Sequence, residues 1–250
     1  MKDKKGIILG IANEHSIAYA VAKKFAEQGC QIVASCLNEK AKLAVNPIVE
    51  NLGIDLQICN VEIEGQLENF IEKAHQKLGK IDFAIHSIAW APLMELHGRV
   101  VDSSSEGFNR AMAISCHSFA RMSKLLEPHM ADGGSLITMT YHGSENVIPH
   151  YGMMGPVKAA LESMVRYLAA ELGMKNIRVH AVSPGPIRTR ASSGIDDFDK
   201  LVQDAIDTSP LKRIVTIDEV ANLTAFLCSD LSTGMTGQTI YIDAGHHIVK

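Results

Sequence analysis

The sequence predicts an α/β fold in one domain: a doubly wound, Rossmann-type parallel sheet of about seven strands with helices on both faces. Short apolar runs alternate with helical patterns from end to end, and no linker, repeat or low-complexity stretch interrupts them. The 250 residues, 46% apolar, suffice for one large core. Strands that alternate with helices pair in parallel, because each crossover needs a helix and the helices cover the faces.

Residues 7–9 read as the first strand, closed by Gly10, and 16–28 as an amphipathic helix opened by Ser16. A strand at 32–35 precedes a helix over 41–51, and a strand at 56–59 precedes a helix over 67–78. The fourth strand, 81–87, leads to a long helical region over 105–127 that Pro128 ends. Then come a strand at 135–140, a helix over 152–173, a strand at 179–183, a helix over 217–229 and a last strand at 239–242. The segment 188–211 breaks the alternation. It carries Ser192, Ser193, Gly194 and the aspartates 196, 197 and 199, then a short helical pattern. Such an insertion after a strand reads as a substrate-covering flap, with a plain surface connection as the competing reading.

Composition excludes several classes. The formal charge is −4 and no long basic run exists, which argues against a nucleic-acid partner. No stretch of 18 apolar residues appears, which argues against a membrane span. The opening MKDKKGIILG is basic and then apolar, but its apolar run is short and reads as a strand rather than a signal peptide. The five cysteines have no paired spacing, which fits a reduced, cytoplasmic setting without disulfides or zinc. His246 and His247 have no obvious third ligand, so no metal is expected.

Tyr151 and Lys158 stand seven residues apart, almost two helical turns, so on one helix they share a face. An ammonium beside a phenol stabilises the phenolate, which predicts a stronger acid near neutral pH. Tyr141 lies ten residues upstream at the end of a strand. Gly10 permits a tight turn and close approach of a ligand, and the helix opened by Ser16 offers free N–H groups to a pyrophosphate. The full G-x-G-x-x-G fingerprint is absent. The second strand runs out through Cys36, Leu37, Asn38, Glu39 and Lys40. No arginine stands there for a 2′-phosphate, so NADH is favoured, and Lys40 keeps NADPH as the alternative. Asn60 and Val61 end the third strand, and Ser87, Ile88 and Ala89 end the fourth; strand tips of this kind converge on one crevice.

With these residues in place the chain resembles the short-chain dehydrogenase/reductase superfamily and, within it, the bacterial enoyl-acyl-carrier-protein reductases. The marks are Gly10-x5-Ser16-Ile17-Ala18, the run from His86 to Pro92, Tyr141 followed by Gly143, and Tyr151-x6-Lys158. Further marks are the run from Ser183 to Thr189, Thr208-Ser209-Pro210-Leu211 and Phe226-Leu227-Cys228-Ser229-Asp230. Ordinary superfamily members use Tyr-x3-Lys with a serine thirteen residues before the tyrosine. Those two positions here hold Met154 and Tyr141, and the phenol has moved to Tyr151. That shift is the enoyl-reductase pattern.

The resemblance implies hydride transfer from NADH to the β-carbon of an enoyl thioester in fatty-acid elongation. Tyr151 would meet the enolate oxygen, Lys158 the nicotinamide ribose, and Tyr141 the thioester. Gly10, Ser16, Ile17, Leu37, Asn60, Val61, Ser87, Ile88, Ala89, Ile187, Arg188 and Thr189 match cofactor-contact positions. Ala91 and Met154, with the two tyrosines, match the substrate pocket. Leu37 stands where NADH-using relatives often have Gln, Asn60 where they have Asp, and Ala89 where they have Gly. Asn60 then offers its amide oxygen to the adenine. The family implies a homotetramer and a substrate carried by acyl carrier protein, an acidic partner. Arg188, Arg190, Lys212 and Arg213 are the basic residues available for it, against an acidic flap; a CoA thioester is the alternative carrier. A carbonyl reductase of the superfamily and a non-catalytic dinucleotide-binding protein are the competing functions.

Overall fold

The computed structural model describes residues 1–189 and 192–249. Seven strands form one parallel sheet: β1 (Lys5–Leu9), β2 (Gln31–Cys36), β3 (Asp55–Ile58), β4 (Phe83–His86), β5 (Gly134–Met139), β6 (Ile177–Pro184) and β7 (Gln238–Ile242). Their order is β3-β2-β1-β4-β5-β6-β7. The chain therefore reverses its direction of travel across the sheet between β1 and β4. Leu9 pairs with both Ser35 and His86, so the tips of three strands end at one level beside that reversal.

Alternation along the strands divides the core. Ile7 and Leu9 face a layer built by α3 (Gln66–Leu78), α5 (Ser105–Met112), α6 (Ser118–Leu126) and α7 (Met154–Leu172). Ile8 faces the other layer, built by α1 (Ile17–Glu27), α2 (Glu39–Glu50) and α9 (Ile217–Cys228). Sequence signals account for the main boundaries. Ser16, Asn38 and Ser104 cap α1, α2 and α5 by accepting backbone N–H bonds. Thr216 and Glu219 form a reciprocal capping box on α9.

Three elements differ from the sequence reading. The helical region expected over 105–127 is interrupted by a π turn at Ala113–His117. There the hydroxyl of Ser118 donates back to the Ile114 carbonyl at 2.6 Å, a mid-helix competition that loosens the regular ladder. A short helix, α4 (Leu93–His97), follows Pro92 where only loop was expected. The helix expected from 152 begins at Met154, so Tyr151 precedes it. Gly152 has φ +45°, and a side chain there would meet the backbone oxygens of Leu96 and Glu95. Pro156 is the third residue of α7, where the missing N–H has no partner in the helix anyway. The flap's helical pattern becomes α8 (Phe198–Thr208).

Candidate active site

The carboxyl ends of the strands carry the predicted residues. Gly10 leaves β1 with φ +98°, and a side chain there would collide with the Ser87 carbonyl at the end of β4. The two strand tips that flank the reversal are thus in backbone contact. Ser16 Oγ accepts from the Tyr19 N–H at 3.3 Å and donates to the Asn13 carbonyl at 2.7 Å, fixing the turn ahead of α1. Ile17, half-buried, opens α1. Together they make a backbone cradle with a helix N-terminus behind it, which fits a pyrophosphate.

Other predicted cofactor positions ring this cradle. Leu37 is exposed beyond β2, and Val61 is buried beyond β3. Asn60 differs from its expected use: its side-chain oxygen accepts from the Glu62 N–H at 3.1 Å and so shapes a turn. Ser87 and Ile88 are half-buried beyond β4, and Ala89 is exposed. Ile187 packs on the core layer of α1 and α9. The Thr189 N–H donates to Ser192 Oγ at 2.8 Å. Arg188 pairs with Asp199 of α8.

Lys158 and the two predicted tyrosines come together at the end of β5. Lys158 sits on the buried face of α7, 4% exposed, and its Nζ donates to the Met139 carbonyl at 2.8 Å. Burial pulls its ammonium down to about 8 from the ordinary 10.5. Tyr141 and Tyr151 meet edge to face with ring centres 5.1 Å apart. The Tyr141 hydroxyl is buried without a hydrogen-bond partner among the described residues. Gly143 makes room for the second ring: a side chain at 143 would lie 2.7 Å from it. Ala91 and Met154 belong to the same apolar cluster as the two rings, together with Leu96 of α4 and Ile195 of the flap.

Two readings of this pair are corrected. Tyr151 and Lys158 do not share a helix face, because Tyr151 stands ahead of α7. Nor is Tyr151 made more acidic. Burial comes first, then Tyr141 and Glu162, and all three push the phenol above its ordinary range. At neutral pH Tyr151 is therefore a phenol with its proton in place.

Sequence reasoning missed several supporting residues. Ser115 in the π turn brackets Trp90, accepting from its N–H and donating to its carbonyl, both at 2.8 Å. That holds the segment running into Ala91. Thr140 donates to the buried Glu162 at 2.6 Å. The available signals were weak: serines inside a helical run, and an acid four residues after Lys158 on an otherwise apolar face.

Over the flap, His97 of α4 meets Asp196 at 3.2 Å and His150 meets Asp197 at 3.8 Å. The aspartates that make the flap acidic are thus matched within the chain. Of the basic residues read as a docking surface, Arg213 is paired with Glu219 and Lys212 donates to the Asp207 carbonyl. Arg190 lies outside the described residues. His247 bonds Asp243 and stacks on Tyr241, and His246 bonds Thr208. Among the described residues no cluster of three or more His, Cys, Asp or Glu could hold a metal ion. No helix among them is long and apolar enough to cross a membrane.

The profile of the family described as enoyl-(acyl carrier protein) reductase matches residues 10–247. The chain belongs to that family. The reductase is 44% identical to an enoyl-[acyl-carrier-protein] reductase [NADH] of Rhizobium meliloti, over all of this chain and 92% of the relative. Its structure superposes on that of the Anaplasma phagocytophilum enoyl-acyl-carrier-protein reductase, solved with NAD. The TM-score is 0.95 at 42% identity, covering 100% of this chain and 95% of that one. The Bacillus cereus enoyl-acyl carrier protein reductase, solved with NADP+ and an indole naphthyridinone, gives 0.97 at 35% identity, covering 100% and 98%.

Proposed function

We infer that this reductase reduces the trans-2 double bond of an enoyl thioester with NADH, and that Tyr151, Lys158 and Tyr141 carry the reaction. The observation that carries the residue assignment is the position of Tyr151. It stands ahead of α7 with its ring against Tyr141, while Met154 occupies the first helical position. A proton donor set back in this way suits an oxygen more remote from the hydride-accepting carbon than a ketone oxygen is. That is the geometry of a conjugated thioester.

NADH supplies the hydride when bound. Gly10, Ser16 and Ile17 would hold its pyrophosphate, and Lys158 its nicotinamide ribose. One Lys158 proton is committed to Met139, which leaves two for ribose hydroxyls. Leu37, Asn60 and Val61 would hold the adenosine side, and Ser87, Ile88, Ala89 and the run Ile187 to Thr189 the nicotinamide side. The strand β2 ends without an arginine for a 2′-phosphate, which supports NADH over NADPH.

As hydride reaches the β-carbon, charge develops on the thioester oxygen. Tyr151, kept protonated by burial, would donate a hydrogen bond to that oxygen and then its proton; the enol so formed tautomerises to the saturated thioester, and solvent returns a proton to the Tyr151 phenolate. The unpartnered Tyr141 hydroxyl orients the same thioester. Ala91 and Met154 flank the acyl chain, and the segment 188–211 closes over it. Acyl carrier protein is the proposed carrier, with CoA as the other outcome. A homotetramer is proposed as well. Tyr167, on α7, and Met174, just beyond it, are 70% and 94% exposed, as an assembly contact requires, and sedimentation measures it.

The deciding assay follows NADH oxidation with trans-2-enoyl thioesters on acyl carrier protein and on CoA. Turnover is expected with the carrier-protein substrate. Turnover with ketones and none with any enoyl thioester overturns the reading.

A further inference from the structure

The Tyr141 hydroxyl, proposed above to orient the thioester, has no hydrogen-bond partner among the described residues. Ring contacts, rather than a bond at the hydroxyl, therefore set the direction of that side chain. The Tyr151 ring meets it with centres 5.1 Å apart at 71°, and the His142 ring with centres 4.9 Å apart at 84°. Both are edge-to-face contacts, a geometry that the ring quadrupoles favour. His142 is 2% exposed, and it meets in turn the ring of His246, 1% exposed, at 5.2 Å and 69°. A chain of rings thus runs from Tyr151, just ahead of α7, through Tyr141 and His142 to the C-terminal turn His246–Ile248.

At the far end of the chain His246 is anchored by side chain and by backbone. Its Nδ1 lies 3.0 Å from the Thr208 hydroxyl oxygen. That hydroxyl donates its one proton to the Asp204 carbonyl at 2.7 Å, so Nδ1 carries a proton and donates to Thr208. Thr208 is the last residue of α8, so the same bond docks the end of the proposed flap helix. The backbone on either side is gripped by the buried Asp243. Its carboxylate accepts from the N–H groups of Gly245 at 3.0 Å and His247 at 2.7 Å, and its carbonyl from that of His246 at 3.2 Å. The imidazole cannot turn away from His142 without breaking the Thr208 bond.

We propose that His246 is a positioning residue of the thioester site: anchored on Thr208 and Asp243, its ring holds the His142 ring and through it sets the direction of the Tyr141 hydroxyl. His246 itself touches no reacting atom. It gives a side chain that lacks a hydrogen bond of its own a fixed reference in the C-terminal turn. The proposal rests on the role given to Tyr141 above.

The test is steady-state turnover of the full-length enzyme with NADH and a trans-2-enoyl thioester, beside a fluorescence titration of NADH affinity. His246→Ala removes the ring, and kcat is expected to fall about tenfold or more, because a misplacement of about 1 Å can lower a rate by roughly 10²-fold. NADH affinity is expected to stay unchanged. His246→Phe returns a ring without the Thr208 bond, and most of the lost rate is expected back. Wild-type kcat in His246→Ala, or equal losses in the two variants, overturns the proposal. Tyr141→Phe separates positioning from folding. That background has no hydroxyl left to place, so adding His246→Ala is expected to lower kcat little further. A merely structural role lowers kcat by the same factor in both backgrounds, and that result overturns the proposal. Should His246→Ala not fold, His246→Leu fills the buried space without a ring and carries the same expectations. Wild-type kcat in Tyr141→Phe removes the role of Tyr141, and this proposal with it. Turnover of enoyl thioesters by the wild type, which tests the proposed function, is read separately from all of these.

Discussion

At the end of β5 the residues proposed for the reaction and their neighbours are held by buried contacts: Lys158 on Met139, Glu162 on Thr140, and the Tyr141 and Tyr151 rings against each other. At Arg188 and over 196–199 the contacts are ones that water reaches: His97 with Asp196, His150 with Asp197, and Arg188 with Asp199. Buried contacts fix geometry to a fraction of an ångström and are weakly screened by salt. Exposed pairs are individually worth about 0–1 kcal/mol and are screened. The residues proposed for the chemistry thus sit among buried bonds, and the proposed flap is held by contacts that yield cheaply.

The largest effect that probes this contrast is Tyr151→Phe. Losing the proton donor is expected to lower kcat by about 10²–10⁴-fold, with NADH affinity nearly unchanged in a fluorescence titration. Wild-type turnover would take Tyr151 out of its role. Gly143→Ala comes next. Its added carbon would sit 2.7 Å from the Tyr151 ring and push the phenol aside. A misplacement of about 1 Å can cost roughly 10²-fold in rate, so a large fall in kcat with a native melting temperature is expected. Unchanged kcat means that the floor yields as readily as the flap, and the contrast fails.

A third prediction separates catalysis from stability. Above pH 8 the rate is expected to fall about tenfold per pH unit as Lys158 loses its proton. Stability at this group runs the other way. The folded value of about 8 lies below the ordinary 10.5, so between them the unfolded chain holds more protons. This group's contribution therefore favours folding increasingly as pH rises through that window. Scanning fluorimetry from pH 7.5 to 9 is expected to show no loss of melting temperature alongside the loss of rate. A parallel fall in both means that the rate reports unfolding.

The smallest effect belongs to the flap. Asp196→Asn removes one exposed pair, so KM for the enoyl thioester is expected to change at most about fivefold, with kcat nearly intact. Raising salt should reproduce the change in the wild type and do little to the variant. A collapse of kcat in Asp196→Asn would place the flap among the rigid parts.

The sheet was legible because its signals are local. Most of the seven strands carry an apolar run, and the cap at Ser16 can be named from the letters. The π turn was not, because its cause is a set of serine bonds to carbonyls and to Trp90 that no periodicity records. Tyr151 shows the boundary most sharply. Its spacing from Lys158 singled out both residues, yet the start of α7 is set by Gly152 folding against the Leu96 backbone, a contact between segments more than fifty residues apart.

The sequence by itself determined the fold class, the strand tips that meet at the reversal, and the residue types proposed for the reaction. Those follow from alternation, turn chemistry and the one-turn displacement of the phenol. Only the tertiary structure decided the charge states. Burial keeps Tyr151 a phenol, where a neighbouring ammonium alone predicted a stronger acid. It also encloses Glu162, silent in the sequence, against the Thr140 hydroxyl. Desolvation depends on everything packed around a group, and a linear pattern does not contain that.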